Sequence, residues 1–329
     1  MIKQLPIEIP TIKTYLGDAF CFSIINDRAF KSGWVYDKYI NLQYCLNDNH
    51  MKYADYDYYD FCPNEGVFIK SFTFAPYLNN NPDCLINYIK ETIDDDFYYF
   101  GIWNESLIPG AEGYNTNNGI YHHGCFIYGY NDEKSTFFTE GYNKSNSWDT
   151  YEVSYETFIK AISVGDFCKG YYTFNGYKLN TEYEWRFDIK RMQNSLVNYL
   201  NENTYNENSN SYFGIEGCYN LFNFVEEQCV SLKHLHIPSI YNVFEHKTIM
   251  EKRVKFLFDN NYITNIELVY KFNKICNTFC IILNKSLKYN IHKNKLMGNS
   301  IKNAAFDSLN NEKETIYLLL DELKNFSKK

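Results

Sequence analysis

Tyr121-His122-His123-Gly124-Cys125-Phe126-Ile127-Tyr128-Gly129-Tyr130-Asn131-Asp132-Glu133 carries the clearest structural signal in the chain. The β-forming residues from Cys125 to Tyr128 lie between glycines and read as a buried strand. Residues 131–135, Asn-Asp-Glu-Lys-Ser, carry turn chemistry, and 136–142 read as the antiparallel return. The acidic turn is hairpin chemistry rather than a metal site. The histidines stand at the mouth of the strand, where a side chain reaches from a rigid element toward solvent. About a hundred residues upstream, Gly17-Asp18-Ala19-Phe20-Cys21-Phe22-Ser23-Ile24-Ile25-Asn26 sets a cysteine where a loop enters a helix. A thiol attacks only as thiolate, and a helix N-terminus and an imidazolium both favour that form. Cys21 and a histidine on a later strand are therefore the two halves of a nucleophile–base pair. Backbone N–H groups at the start of the helix would receive the oxyanion of a tetrahedral intermediate.

Away from this stretch, residues 21–31 predict a helix with Phe22, Ile25, Ala29 and Phe30 on one face and Gly33 after its end. A second helix is expected over 83–93 and a strand over 97–103. A further strand is expected over 170–174. From Asp188 the apolar period changes to 3.6: Ile189, Met192, Leu196, Val197 and Leu200 form a stripe. An Asn-rich linker spans 201–211, and helices are expected over 217–228 and 239–260. A further helix, opened by a Thr264-x-x-Glu267 capping box, is expected to run to Leu287, and a last one carries Ile316, Leu319, Leu320 and Leu323. The fold class is α+β, with a catalytic domain over 1–185 and an all-α C-terminal domain over 186–329.

Composition excludes several partners. The net charge of −8 over 329 residues opposes phosphate binding, so no nucleic-acid partner is expected. The longest apolar runs are far short of a membrane span, and residues 1–10 lack a signal-peptide core, so a cytoplasmic location is expected. The 10 cysteines share no repeated spacing and no Cys-x-x-Cys, so reduced, buried thiols are the expectation. Cys125 reads as a core thiol inside its strand. His234-Leu235-His236 is a weak metal signal without a partner cluster, and no metal or cofactor is expected.

Further runs carry a resemblance. Ile102-Trp103-Asn104-Glu105-Ser106-Leu107-Ile108-Pro109-Gly110, Tyr114, the His122-His123 pair and Tyr128-Gly129-Tyr130-Asn131-Asp132-Glu133 resemble the butirosin-biosynthesis acyltransferase-like family. Gly141-Tyr142-Asn143 and the run from Val153 to Phe158 continue the likeness, which is strongest over 95–162. That family lies in the papain-like clan, so the resemblance implies a papain-like cysteine-protease fold. Members include an amide-forming enzyme of closthioamide assembly and serve nonribosomal peptide-type antibiotic pathways. The activity implied is transfer of an acyl group from a carrier-protein phosphopantetheine thioester, through an acyl-Cys21 enzyme, to an amine. The family spacing puts the histidine six residues before the glycine of Gly-Tyr, which makes His123 the base and sets His122 on the opposite strand face. Tyr15 stands where papain-type enzymes carry an oxyanion glutamine, and is assigned to the substrate side.

The third catalytic residue is open between Asn143 and Glu140 on the return strand, with Asn143 preferred. Asn104, at the end of the preceding strand, should lie near the start of the histidine strand, to orient the imidazole or bind substrate. The alternatives are a cysteine peptidase or amidase with the same pair, and a non-catalytic binding protein. The Tyr53–Tyr59 loop and the helical domain are expected to screen the site from water.

Overall fold

A computed structural model describes residues 1–54, 66–73, 82–115, 119–163, 174–201, 205–206 and 208–326. The chain forms two compact units, Met1–Asn26 with Tyr59–Glu184, and Asp27–Tyr58 with Trp185–Lys329. The second unit thus includes a segment that interrupts the first unit in sequence, unlike the expected 1–185 and 186–329 division.

The first unit is built on β1 (Ile2–Gln4), β4 (Phe68–Thr73), β5 (Tyr98–Asn104), β6 (His122–Asn131), β7 (Thr136–Tyr142), β8 (Trp148–Ser154) and β9 (Phe174–Leu179). They form one sheet in the order β4-β9-β5-β6-β7-β8, with β1 also paired to β6. All these pairings are antiparallel. The β6–turn–β7 hairpin falls where the turn chemistry predicts it. The short, polar β1 escapes a pattern reading. Of the strand expected over 170–174, residues 170–173 lie outside the described residues.

Helix α1 (Leu16–Lys31) begins five residues before Cys21. Its buried stripe, including Ala19, Phe20, Ile25 and Ala29, is at most 1% exposed. Asp18 in the first turn and Arg28 and Lys31 in the last complement the helix dipole. Phe20 stacks on Phe126 of β6 at 5.0 Å and meets Phe100 and Trp148 at 5.6 Å each. Helices α2 (Pro82–Asp94) and α3 (Tyr155–Ser163) cover the other face, through Tyr88 against Tyr99 and Phe158 against Phe137. Proline opens α2 at a position where its missing N–H is no loss.

The second unit carries α4 (Ile189–Leu200), α5 (Gly214–Val230), α6 (Ile237–Asp259), α7 (Ile266–His292) and α8 (Leu296–Phe326). Asp188 caps α4 by accepting from the N–H groups of Lys190 and Arg191. At α7 the cap is Asn265, which accepts from Glu267 N–H at 3.0 Å; Thr264 instead donates its N–H to Glu322, so the expected capping box is not formed. The unit is not all-α: β2 (Leu42–Cys45), β3 (His50–Tyr53) and β10 (Ser211–Phe213) make a small antiparallel sheet. These strands are three or four residues long, too short for a period-2 signal. The core holds a fully buried ion pair, Lys247 Nζ to Glu312 Oε2 at 2.7 Å, and Lys247 also donates to Tyr199 Oη at 2.7 Å.

Candidate functional site

The strongest constellation in the first unit forms where β5 runs out. Asn104 ends that strand, fully buried, and its side chain ties three pieces of backbone together. Its Oδ1 accepts from the N–H groups of Ser106 at 3.2 Å and Tyr121 at 2.8 Å, and its Nδ2 donates to Gly119 O at 3.0 Å. The turn Glu105–Leu107 that follows is thereby fixed against the entry to β6, and Glu105 N–H donates to Tyr121 O at 2.7 Å.

That turn aims a carboxylate at an imidazole. His123 Nδ1 lies 2.8 Å from Glu105 Oε2. Glu105 is 3% exposed and His123 28% exposed. A carboxylate acceptor at Nδ1 selects the Nδ1–H tautomer and leaves the Nε2 lone pair for proton transfer. Tyr121, two residues back on the same face, sets its ring 5.2 Å from the imidazole. Gly113 packs flush on the pair: a Cβ there would lie 2.8 Å from Glu105 Oε2 and would strike the Tyr121 ring. Glu112, beside it, has its carboxyl pushed up by burial; His123 works against that rise and Glu105 adds to it.

Strand pleating decides what else can share this site. A Cβ on Gly124 would meet Leu16 Cδ1 of α1 at 3.1 Å, and Phe126 stacks on Phe20 of α1. Alternation therefore sends His123 and Cys125 to the opposite face of the sheet from α1. His122 shares the face that α1 covers. The structure brings His123 together with Glu105.

Cys21 itself is the sixth residue of α1, fully buried and disulfide-bonded. The seven other described cysteines are free. Past the first turn its backbone N–H belongs to the helical ladder, so the expected oxyanion donors are not at this residue. Cys125 sits two positions after His123 on the same face, but burial pushes its thiol up and the Glu105 charge adds to the rise. A thiol so placed is a poor source of thiolate.

The other expected residues serve elsewhere. Asn143 closes the β7–β8 turn, accepting from the N–H groups of Ser145 at 2.8 Å and Ser147 at 3.1 Å and donating to Asp149 at 3.3 Å. Glu140 faces α1: it accepts from Trp148 Nε1 at 3.1 Å, and Trp148 packs on Phe20. It is 3% exposed, and burial pushes its carboxyl up to about 7, against smaller favourable contributions from Ser23 and Trp148. Tyr15 is buried just ahead of α1, where its carbonyl accepts from Ala19 N–H at 2.9 Å. Asn104 acts on the imidazole through the turn it holds rather than by contact.

Sequence reasoning missed Glu105, the residue that orients His123. The signal was one position away: β5 and β6 pair Asn104 with His122 and Trp103 with His123, so the residue after Asn104 lands beside the histidines. Of the tyrosine loop over 53–59, residues 55–59 lie outside the described residues. His236 Nδ1 lies 2.8 Å from Ser239 Oγ, and among the described residues no group of three His, Cys, Asp or Glu side chains is arranged to hold a metal. No described helix is long and apolar enough to cross a membrane. No protein-family model and no curated protein sequence matches the chain.

Proposed function

We propose that the first unit is an acyltransferase that forms an amide, taking its acyl group from a carrier-protein thioester and passing it to an amine, with His123 as the proton-transfer residue. The observation that carries this reading is the Glu105 Oε2–His123 Nδ1 contact of 2.8 Å, a buried carboxylate holding a part-exposed imidazole by Nδ1. The likeness over residues 95–162 to acyltransferases of the papain-like clan supplies the reaction class.

Two routes use this base. In the covalent route the Cys21 thiolate displaces the carrier thiol, and the amine then displaces Cys21. In the direct route the amine attacks the thioester while Nε2 takes its proton; the C–N bond forms, the C–S bond breaks, and Nε2–H protonates the departing thiolate. The covalent route needs a reduced Cys21 on the side of the sheet that His123 occupies. The disulfide at Cys21 and the pleat of β6 therefore favour the direct route. A thioester lies high enough in energy that neither route needs ATP.

An acyl N-acetylcysteamine thioester, offered with and without an amine to the reduced protein, tests the proposal. Amide product from wild type and from Cys21→Ser, with loss of product in His123→Ala, is the expected pattern. Amide lost in Cys21→Ser, with an acyl group trapped on Cys21 in wild type, would establish the covalent route instead. Free acid alone, amine or no amine, would make the chain a hydrolase.

A further inference from the structure

Helix α7 presents its solvent side as a seam. Tyr270, Lys274, Asn277, Ile281, Asn284, Lys288 and Ile291 follow one another at spacings of 4, 3, 4, 3, 4 and 3, and every one is exposed. Spacings of three and four keep these positions on one face of the helix, with apolar side chains at three of the seven. The opposite side is spent on the unit's own core, through Leu268, Phe272, Ile275, Phe279 and Ile282. Tyr270 is 61%, Ile281 55% and Ile291 76% exposed, three large apolar side chains in one line about 32 Å long.

The charges in the seam select the occupant. Lys274 and Lys288 stand within it, and neither has a carboxylate at ion-pair distance among the described residues. The only acidic residue on α7 is Glu267, in its first turn. A second copy of the chain is disfavoured: a parallel pairing sets Lys274 on Lys274, and an antiparallel pairing sets Lys274 against Lys288. A lipid surface is disfavoured as well, because the lysines and the two asparagines share the stripe with the isoleucines instead of flanking it. A helix with acidic residues opposite the two lysines and apolar ones opposite Ile281 answers both features.

We propose that the outer face of α7 is the docking surface for an acidic amphipathic helix of a partner protein. The surface stands independently of the catalytic reading of the first unit. Specificity comes from the buried lysine–carboxylate contacts, and the apolar positions supply the area.

The test uses the full chain and a fluorescein-labelled designed helix of three heptads, leucine at its seam and glutamate where Lys274 and Lys288 would fall. Saturable anisotropy at low salt, weakening at high salt, is expected. The double variant Lys274→Glu, Lys288→Glu should weaken binding at least about tenfold, with an unchanged melting temperature because both side chains are exposed. Ile281→Ser should weaken it as well. Absence of saturable binding, or equal binding by the charge-reversed protein, overturns the proposal. So does a dimer in sedimentation that the double variant dissolves, or flotation with phosphatidylserine–phosphatidylcholine vesicles in preference to the peptide.

Discussion

Glu140→Gln isolates one buried carboxyl whose titration should be visible in the stability of the first unit. Glu140 is 3% exposed, and burial moves its carboxyl from an ordinary 4.5 up to about 7. Because the folded value lies above the unfolded one, the native state holds the proton more tightly. Stability from this group is therefore full below pH 4.5, declines as pH rises from 4.5 to 7, and is level beyond. Every tenfold gain in proton affinity is worth about 1.4 kcal/mol, so the ionised carboxylate should cost the fold ~3 kcal/mol at pH 8. Glutamine keeps the shape and the acceptor for Trp148 Nε1 without the charge. Wild type and variant should thus be of similar stability near pH 4, and the variant ~3 kcal/mol more stable at pH 8. Urea denaturation followed by tryptophan emission at pH 4, 6 and 8 measures this, since other carboxylates titrate equally in both proteins. A wild-type-to-variant difference that stays constant from pH 4 to pH 8 would mean that burial does not hold the proton on Glu140.

Three further outcomes are expected. Glu105→Gln should leave the fold intact and lower the rate of amide formation by roughly 10²–10⁴-fold, because His123 loses the partner that fixes its tautomer; a steady-state rate within a few-fold of wild type would speak against the pair. Gly113→Ala pushes a methyl group into Glu105 Oε2 and the Tyr121 ring, so it should lower kcat by roughly a hundredfold while the thermal midpoint moves little. Lys247→Met leaves Glu312 as an uncompensated buried charge and should destabilise the second unit by roughly 3–5 kcal/mol, with much of the loss restored by Glu312→Leu; a urea series on the single and double variants checks it.

The β6–β7 hairpin was legible because its signals are local: a continuous run of β-forming residues, flanking glycines and an Asn-Asp turn act over a dozen residues. The long helices were legible for the same reason, as the burial of Leu196, Phe272 and Leu320 follows the 3.6 period. Which face of the sheet α1 covers is a long-range fact. It depends on Leu16 reaching Gly124 and Phe20 reaching Phe126, more than a hundred residues away, and no local pattern encodes it. That is why the neighbours of the histidines could not be read from the sequence: they follow from pleat and register. Glu105 was hidden for a second reason, since a residue just past a strand end has no periodicity to betray its direction. The small sheet of the second unit was hidden by length, and β10 pairs with β2 across some 170 residues of chain.

If His123, held by Glu105, transfers the proton in acyl transfer, the decisive quantity is the rate of amide formation by His123→Ala. With a small acyl thioester and saturating amine, that rate should fall at least about a hundredfold relative to wild type, in a variant whose circular dichroism and melting temperature are unchanged. A rate equal to wild type in that folded variant would remove His123 from the chemistry.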